Sequence, residues 1–338
     1  KREKLGGKDT IGILFGTNDG GDGNWYGFMN AYGAYKDIIL ERNGELVSSN
    51  TLPEMEKALL SMQSLYKEGL INKDIAVVKD ETAGKYIANG QVGVWYGMGW
   101  SPALAGITGL YQNNKRADVI SVYPPSVSGT AVPIQNNIPI PGKCFVNAKC
   151  KNPEAAVKLL NLTAQLDKDD FKNYGTDSDG YNWFKLLPWG DRLASALGDL
   201  QVADEVRQTL ITGKDCTTTE DNKLRYQLYQ QDLKAGNPKY PLLYGMKEKD
   251  GTYKEGSYVI LFDAYKKNLL IGTVYHGLPT KTDALKGQVL SDNLHAAMLK
   301  VIMGSDISVY QKAVNDWKTN GGDQIIKEQN EWYQENSK

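Results

Sequence analysis

The sequence predicts an α/β protein built as two lobes. Short apolar runs that read as buried strands alternate with longer segments of helical periodicity. The 338 residues exceed what one small core organises. The spacing of the elements asks for more than one crossover, the first through VISVYPPSV, where Pro124 and Pro125 break a strand.

Taken in order, TIGILFG (Thr10 to Gly16) is a short buried strand that runs into TNDGGDGN, a Gly/Asn/Asp loop. WYGFMNAYGAYKDIIL has moderate helical character. LPEMEKALLSMQSLYKEG is the clearest helix: Met55, Leu59, Met62 and Tyr66 recur on one face, Thr51 and Glu54 have capping-box spacing, and Gly69 is the stop. DETAGKYIANG is a shorter helix with Asp80 as its cap and Gly90 as its end. VGVWYGMGW is a strand that runs into a loop, and GKCFVNA is a further strand. Asn152 and Pro153 open the helix of CKNPEAAVKLLNLT. Asp167 to Lys266 reads as irregular with short helices, VILFDAYK as a strand, and IGTVYHGLPTKTDAL as strand and loop. At the end, Ile307, Tyr310, Val314 and Trp317 form a helical stripe, Gly321 and Gly322 interrupt it, and a last helix carries Ile325 and Trp332.

Composition removes several classes of function. The 39 basic and 40 acidic residues leave a formal net charge of −1, without the clustered basic surface that nucleic acid requires. No apolar run reaches the ~18 residues of a membrane span. Cys144, Cys150 and Cys216 are odd in number, so they cannot form a complete disulfide framework, and they leave the compartment open.

Catalytic constellations fare no better. Gly21, Gly23 and Gly27 come near a dinucleotide fingerprint, but Trp25 and Tyr26 stand where phosphates would pass. There is no G-x-S-x-G elbow. The only histidines, His276 and His295, have no Ser or Cys partner nearby in sequence and no Cys cluster with which to hold zinc. His295 sits on a helix as a packed or surface residue, whereas His276 in TVYHGLPT is a loop residue with more claim to a site. DKDD (Asp167 to Asp170) and DSDG (Asp177 to Gly180) fail the calcium-loop spacing. A carboxylate pair for glycoside hydrolysis stays open, because 40 acidic residues always offer one.

What stands out is aromatic. The chain has 20 Tyr and 7 Trp against 6 Phe, an excess of rings with a polar handle. Trp25 and Tyr26 follow the Gly-rich loop, Trp95, Tyr96 and Trp100 end a strand, Trp183 and Trp189 lie in YNWFKLLPWG, and Tyr275 precedes His276. Ligands of α/β sheets bind at the carboxyl ends of strands. Sugars offer C–H faces that stack on such rings, and packing of a lobe edge is the competing role for each ring. Side-chain alternation separates Trp95 from Tyr96 and leaves Trp95 as the core ring.

The order of these segments resembles the extracellular solute-binding proteins of ABC sugar transporters, in their LipO-like lipoprotein branch. TIGILFG with NWYGFMNAYGAY, TLPEMEKALLSMQSLYKEGLINKDIA, KYIANGQVGVWYGMGWSPAL, GKCFVNAKCKNPEAAVKLLNL and the ending from YHGLPTKT to NEWY carry the resemblance. It implies a type II periplasmic-binding-protein-like fold, two lobes joined by a hinge with a ligand cleft between them. Residues 8–122 would be the first part of the second lobe, 123–142 the crossover and 143–270 the rest of the first lobe with an irregular insertion. Residues 271–338 would be the hinge return and the C-terminal helices, packed mainly on the second lobe. The first-lobe sheet is expected to lack its earliest strands.

The resemblance implies capture of an oligosaccharide and its delivery to an ABC permease, by a monomer held at the cell surface through an N-terminal lipid anchor, without catalysis, cofactor or metal. Asn24, Trp25, Tyr26 and Trp100 stand at sugar-contacting positions of the family, with Trp183, Tyr275 and His276 as further ligand residues. The glycines of YGMGW would let sugar approach the backbone. REKLGGKDT stands where relatives carry an acidic calcium-loop-like run, so no calcium is expected there. A carbohydrate-active enzyme with the same aromatic cleft is the first alternative, and a binder of another solute such as a peptide is the second.

Overall fold

The computed structural model describes residues 4–5, 8–17, 21–135, 146–169 and 197–336. The chain divides into two compact units, Lys1–Asn137 with Asp199–Lys338, and Ile138–Gly198.

In the larger unit, β1 (Ile11–Leu14) is the central strand and α1 (Tyr26–Asn30) is short. The helical segment expected after the Gly-rich loop stops there. The chain turns instead into a hairpin of β2 (Ile39–Arg42) and β3 (Glu45–Ser48). Asn43 and Gly44 take φ of 57° and 84°, a two-residue turn whose twist matches the strands. Next come α2 (Pro53–Lys67), α3 (Asp80–Ala88) and β4 (Val92–Trp95). β4 lies parallel to β1, with Ile11 opposite Val92 and Leu14 opposite Trp95, and Ile71 bridges to Ile13 from the other side.

The expected buried face of α2 holds: Met55, Leu59 and Met62 are buried. The expected capping box does not form. Leu52 is the N-cap, the Thr51 hydroxyl donates to the Ser48 carbonyl, and Glu54 pairs with Arg42 at 3.1 Å. Asp80 likewise lies inside the first turn of α3 rather than capping it.

After α4 (Ala105–Asn113) the VISVYPPSV segment is not a strand; two prolines deny it ladder donors, and Ile120 and Val122 are exposed. β5 (Ile134–Gln135) follows. In the smaller unit α5 (Glu154–Asp169) begins where expected, with the Ala155 N–H bonded to the Asn152 carbonyl at 3.1 Å. Of the strand expected at GKCFVNA, Gly142 to Phe145 lie outside the described residues, and Val146 to Ala148 are exposed and not a strand.

The stretch expected to be irregular carries long helices: α6 (Gly198–Thr212), α7 (Glu220–Ala235) and the shorter α8 (Lys239–Tyr244). Thr219 caps α7 through the Asn222 N–H, and Gly236 ends it at φ 70°. VILFDAYK is helical, within α9 (Ser257–Lys266), where Val259 and Ala264 are buried. β6 (Leu270–Ile271) then pairs in parallel with β5. α10 (Lys281–Ile302), α11 (Ser308–Trp317) and α12 (Asp323–Asn336) close the chain, and Gly321 at φ 144° interrupts the helical run between the last two.

Two cores flank the β1–β4 pair. Phe15, Phe28, Met55, Leu59 and Met62 meet Leu294, Met298 and Val301 of α10 on one side. Leu14, Val78, Ala83, Ile87, Ile107 and Leu242 form the other. Among the described residues no helix is long and apolar enough to cross a membrane.

Candidate functional site at the strand ends

Two loops leave the carboxyl ends of β1 and β4 side by side. The Gly16 N–H donates to the Gly23 carbonyl and the Gly23 N–H to the Tyr96 carbonyl, each at 2.8 Å. The parallel pairing therefore brings Asn24, Trp25 and Tyr26 into one neighbourhood with the loop that ends at Trp100.

Their environments differ. Asn24 is buried; its amide donates to the Gly21 carbonyl at 3.1 Å and its side-chain oxygen accepts from the Tyr26 N–H at 3.0 Å. Trp25 is 6% exposed, and its indole Nε1 donates to the Gly16 carbonyl at 2.8 Å. Its ring belongs to the core of Phe15, Phe28 and Met29, with the Lys36 ammonium 5.7 Å from the ring centroid. Tyr26 is half-buried. Trp100 is 41% exposed.

The alternation expected of Trp95 and Tyr96 holds, although both rings pack. Trp95 leans on the core of Leu14 and Val78, while Tyr96 stacks on Phe15 at 6.0 Å and 3° on the opposite side. Gly97 is exposed and Gly99 half-buried, and the direction a Cβ would take from each is occupied by the protein itself. A Cβ on residue 97 would lie 2.1 Å from Ser101 Oγ and 2.7 Å from Asp22 Oδ1. One on residue 99 would lie 2.4 Å from Leu261 Cδ1 and 3.1 Å from Tyr258 Cε1. The glycines let the loop seat against its own protein, and the Ser257 hydroxyl fastens it by donating to the Gly99 carbonyl at 2.6 Å.

Asp22, which sequence reasoning missed, lies beneath this loop at 3% exposure. Neither of its carboxyl oxygens, nor Ser101 Oγ, has a hydrogen-bond partner of good geometry among the described residues. Burial pushes the Asp22 carboxyl up to about 6, with the Asp80 carboxylate adding to the rise and Ser101 and Trp95 opposing it. Its only sequence signal is position, an acid beside glycine at the end of a buried strand.

The other expected residues are placed elsewhere or not described. The Tyr275 ring meets Trp332 of α12 edge-on at 5.0 Å, and its hydroxyl donates to the Leu278 carbonyl. His276 is exposed, and Trp183 lies outside the described residues, as does the DSDG run. His295 Nε2 is 2.7 Å from Asp37 Oδ1, a packed role as expected. Among the described residues no three His, Cys, Asp or Glu side chains are placed to hold a metal ion.

Comparison with solved structures gives three likenesses that each cover 96% of this chain. The first is a calcium-free crystal structure of alginate-binding protein AlgQ2, at TM-score 0.54 and 13% identity, with 64% of that protein covered. The second is the ABC-transporter substrate binding protein FusA of S. pneumoniae, an EF-hand mutant in complex with fructo-nystose, at 0.53 and 15%, with 63% covered. The third is an HMO binding, ABC-transporter associated solute binding protein of Bifidobacterium longum infantis, at 0.51 and 17%, with 64% covered. This is the solute-binding-protein fold.

The chain thus spans just under two thirds of the length of the solute-binding proteins it resembles. By sequence it is 25% identical over 298 residues to an uncharacterized protein in the butB 5′ region of Niallia circulans, covering 81% of this chain and 97% of that one. Over 70 residues it is 37% identical to lipoprotein LipO of Bacillus subtilis (strain 168), covering 21% of this chain and 12% of that one. No family model matches the chain.

Proposed function

We propose that this protein is an extracellular solute-binding protein that captures an oligosaccharide and delivers it to an ABC-transporter permease. One observation carries the reading: Trp100, a large exposed ring, stands at the carboxyl end of a parallel strand on a loop fastened from two sides. Exposed tryptophan on a rigid support suits stacking on a sugar face, because little side-chain freedom is lost on binding. The fold likeness to proteins named for binding alginate, fructo-nystose and HMO supports it.

In this reading the protein binds without turnover. It acts as a monomer at the cell surface under a lipid anchor, a placement supported by the local likeness to a lipoprotein. The lobes are residues 8–122 and 143–270, the crossover is 123–142, and 271–338 is the hinge return with the C-terminal helices. Trp100 is the stacking residue, Tyr26, Tyr275, His276 and Trp183 are candidates for further contacts, and Asn24 and Trp25 shape the support.

Calorimetric titration against a broad panel of glycans tests it. Saturable binding to one glycan class, with the glycan recovered intact by chromatography after long incubation, is the expected result. Protein-dependent cleavage that is lost on changing one carboxylate would move the reading to a glycoside hydrolase. Binding of peptides and no glycan would remove it.

A further inference from the structure

The loop that displays Trp100 rests on a buried acid. A Cβ on residue 97 would stand 2.7 Å from Asp22 Oδ1 and 2.1 Å from Ser101 Oγ, so loop backbone, carboxyl and hydroxyl converge on one point. Asp22 is 3% exposed and Ser101 5%, and the carboxyl oxygens and the hydroxyl have no hydrogen-bond partner of good geometry among the described residues. The rest of the loop is tied by neutral bonds. The Ser101 N–H donates to the Met98 carbonyl at 2.8 Å, the Ala103 N–H to the Trp100 carbonyl at 2.8 Å and the Leu104 N–H to the Ser101 carbonyl at 2.9 Å. The Ser257 hydroxyl donates to the Gly99 carbonyl at 2.6 Å.

The surroundings of Asp22 suit one of its two protonation states. From α3 comes Asp80, whose carboxyl lies against Gly21 and whose charge opposes a second one on Asp22. From β4 and the loop come the Trp95 indole and the Ser101 hydroxyl. From α9 the Tyr258 ring and Leu261 meet the loop at Gly99. Among the described residues no Lys or Arg pairs with Asp22. A protonated carboxyl fits this seat, being neutral and able to donate to Ser101 Oγ. A carboxylate there is dry, unpaired and beside another acid. Burial accordingly raises the Asp22 carboxyl to about 6. Once the proton leaves, lifting the loop lets water reach the charge.

We infer that the proton on Asp22 is a latch for the Trp100 loop: protonated Asp22 seats the loop, and ionised Asp22 loosens it. The window follows from the two states. With the loop lifted and the carboxyl hydrated, Asp22 titrates at its ordinary 3.8; with the loop seated it titrates near 6. The seated form is most favoured below about pH 4, loses up to about tenfold per pH unit between those values, and is level above about pH 6. Resting on the oligosaccharide reading above, the latch makes sugar binding tighter in mildly acidic surroundings than at neutral pH. The loop equilibrium itself needs no ligand, so it is tested apart from that reading.

The test is amide hydrogen exchange of the full chain without added ligand, read by mass spectrometry between pH 4 and 7.5 and corrected for the intrinsic pH dependence of exchange. The reporters are the bonded amides of Ser101, Ala103 and Leu104. Their protection should fall by up to about tenfold per pH unit as far as about pH 6 and then stay level. Asp22→Asn should stay level throughout, near the protection that the parent has at pH 4. Low urea, about 0.5 M, separates a lifting loop from global unfolding, because a local opening exposes little surface and responds little to denaturant. A level parent profile overturns the latch. So does a loss that grows with urea in step with the amides of α2, which would make it global. Loss of protection at pH 7 on adding EDTA also overturns it, since a bound cation would then hold the acid in place of a proton. If Asp22→Asn does not fold, the parent profile and its urea response decide alone. None of these outcomes touches the sugar reading, and failure of every glycan to bind leaves the latch standing.

Discussion

Trp25 and Trp100 look alike in sequence, each an aromatic beside glycine-rich loops after a strand, and the fold gives them opposite surroundings. Trp25 has its indole nitrogen bonded to Gly16 and its ring among Phe15, Phe28 and Met29. Trp100 keeps its ring in solvent on a loop fixed by Ser257 and by its approach to Leu261. The difference teaches that a loop at a strand end can be all support or all display. Which it is depends on whether a main-chain acceptor and a core lie within reach of the ring.

The sharpest way to break this comparison is to truncate Trp25. Trp25→Ala removes a buried ring and leaves the Gly16 carbonyl without its donor. A loss of about 3–5 kcal/mol is expected, as for other buried aromatics. Chemical denaturation measures it. An unchanged unfolding midpoint would show that Trp25 is no more structural than Trp100.

How far the sequence could see follows from the same physics. Periodicity marked α2 and α11, because each turns one face to the core, and short apolar runs marked both parallel strands. Gly69 and Gly90 end their helices at φ of 72° and 67°, as their positions suggested. The hairpin at Asn43–Gly44 was missed although the dipeptide is a strong turn signal, since the flanking apolar residues suggested a helix. Apolar VILF suggested a strand, while its burial in α9 follows a helical spacing that four residues cannot reveal. At the site, a ring beside glycine was visible, but burial was not. The glycines of the loop turned out to face Asp22, Ser101, Leu261 and Tyr258, contacts that no local pattern announces.

Asp22 offers a second test, with a definite sign. Its carboxyl titrates near 6 in the folded protein against 3.8 ordinarily, so between those values the folded state holds the extra proton. The contribution of Asp22 to stability is therefore greatest below about pH 4 and is lost as pH rises through about 6. Asp37 runs the other way. It is buried too, yet its hydrogen bond to His295 and the Lys36 ammonium beside it hold it well below the usual carboxylate range. Its stabilisation is present above pH 3.8 and is lost only as pH falls further. Asp22→Asn should gain about 1–3 kcal/mol at neutral pH relative to the parent and lose the slope between pH 4 and 6. Denaturation midpoints of both proteins across that range decide it, and parallel curves would sink the assignment.

Gly99→Ala probes how tightly the displayed loop is seated. The new methyl would overlap Leu261, whose side-chain tip can swing, and press on the Tyr258 ring, which has less room because it packs on Tyr244. A cost of about 1–3 kcal/mol, typical of overpacking, is expected in denaturant melts. Ligand affinity should fall as well, because the loop that carries Trp100 has to move. A variant with parental stability and affinity would mean that the contact with α9 does not position the loop.

Trp100→Ala closes the comparison with the smallest expected effect on folding. An exposed ring without a core partner adds little to the folded state, so the thermal midpoint should stay near the parent's. Its effect should appear in binding, as a loss of about 1–3 kcal/mol for the glycan that the parent protein selects, the scale of one stacked ring. The two measurements only have meaning together. A stable variant with weakened binding separates Trp100 from Trp25 and makes the loop a platform. A stable variant with unchanged binding leaves the ring a solvent-facing residue and shifts the search to Tyr26. An unstable one would place Trp100 with Trp25 among the residues that hold the fold, and the contrast between the two tryptophans would be lost.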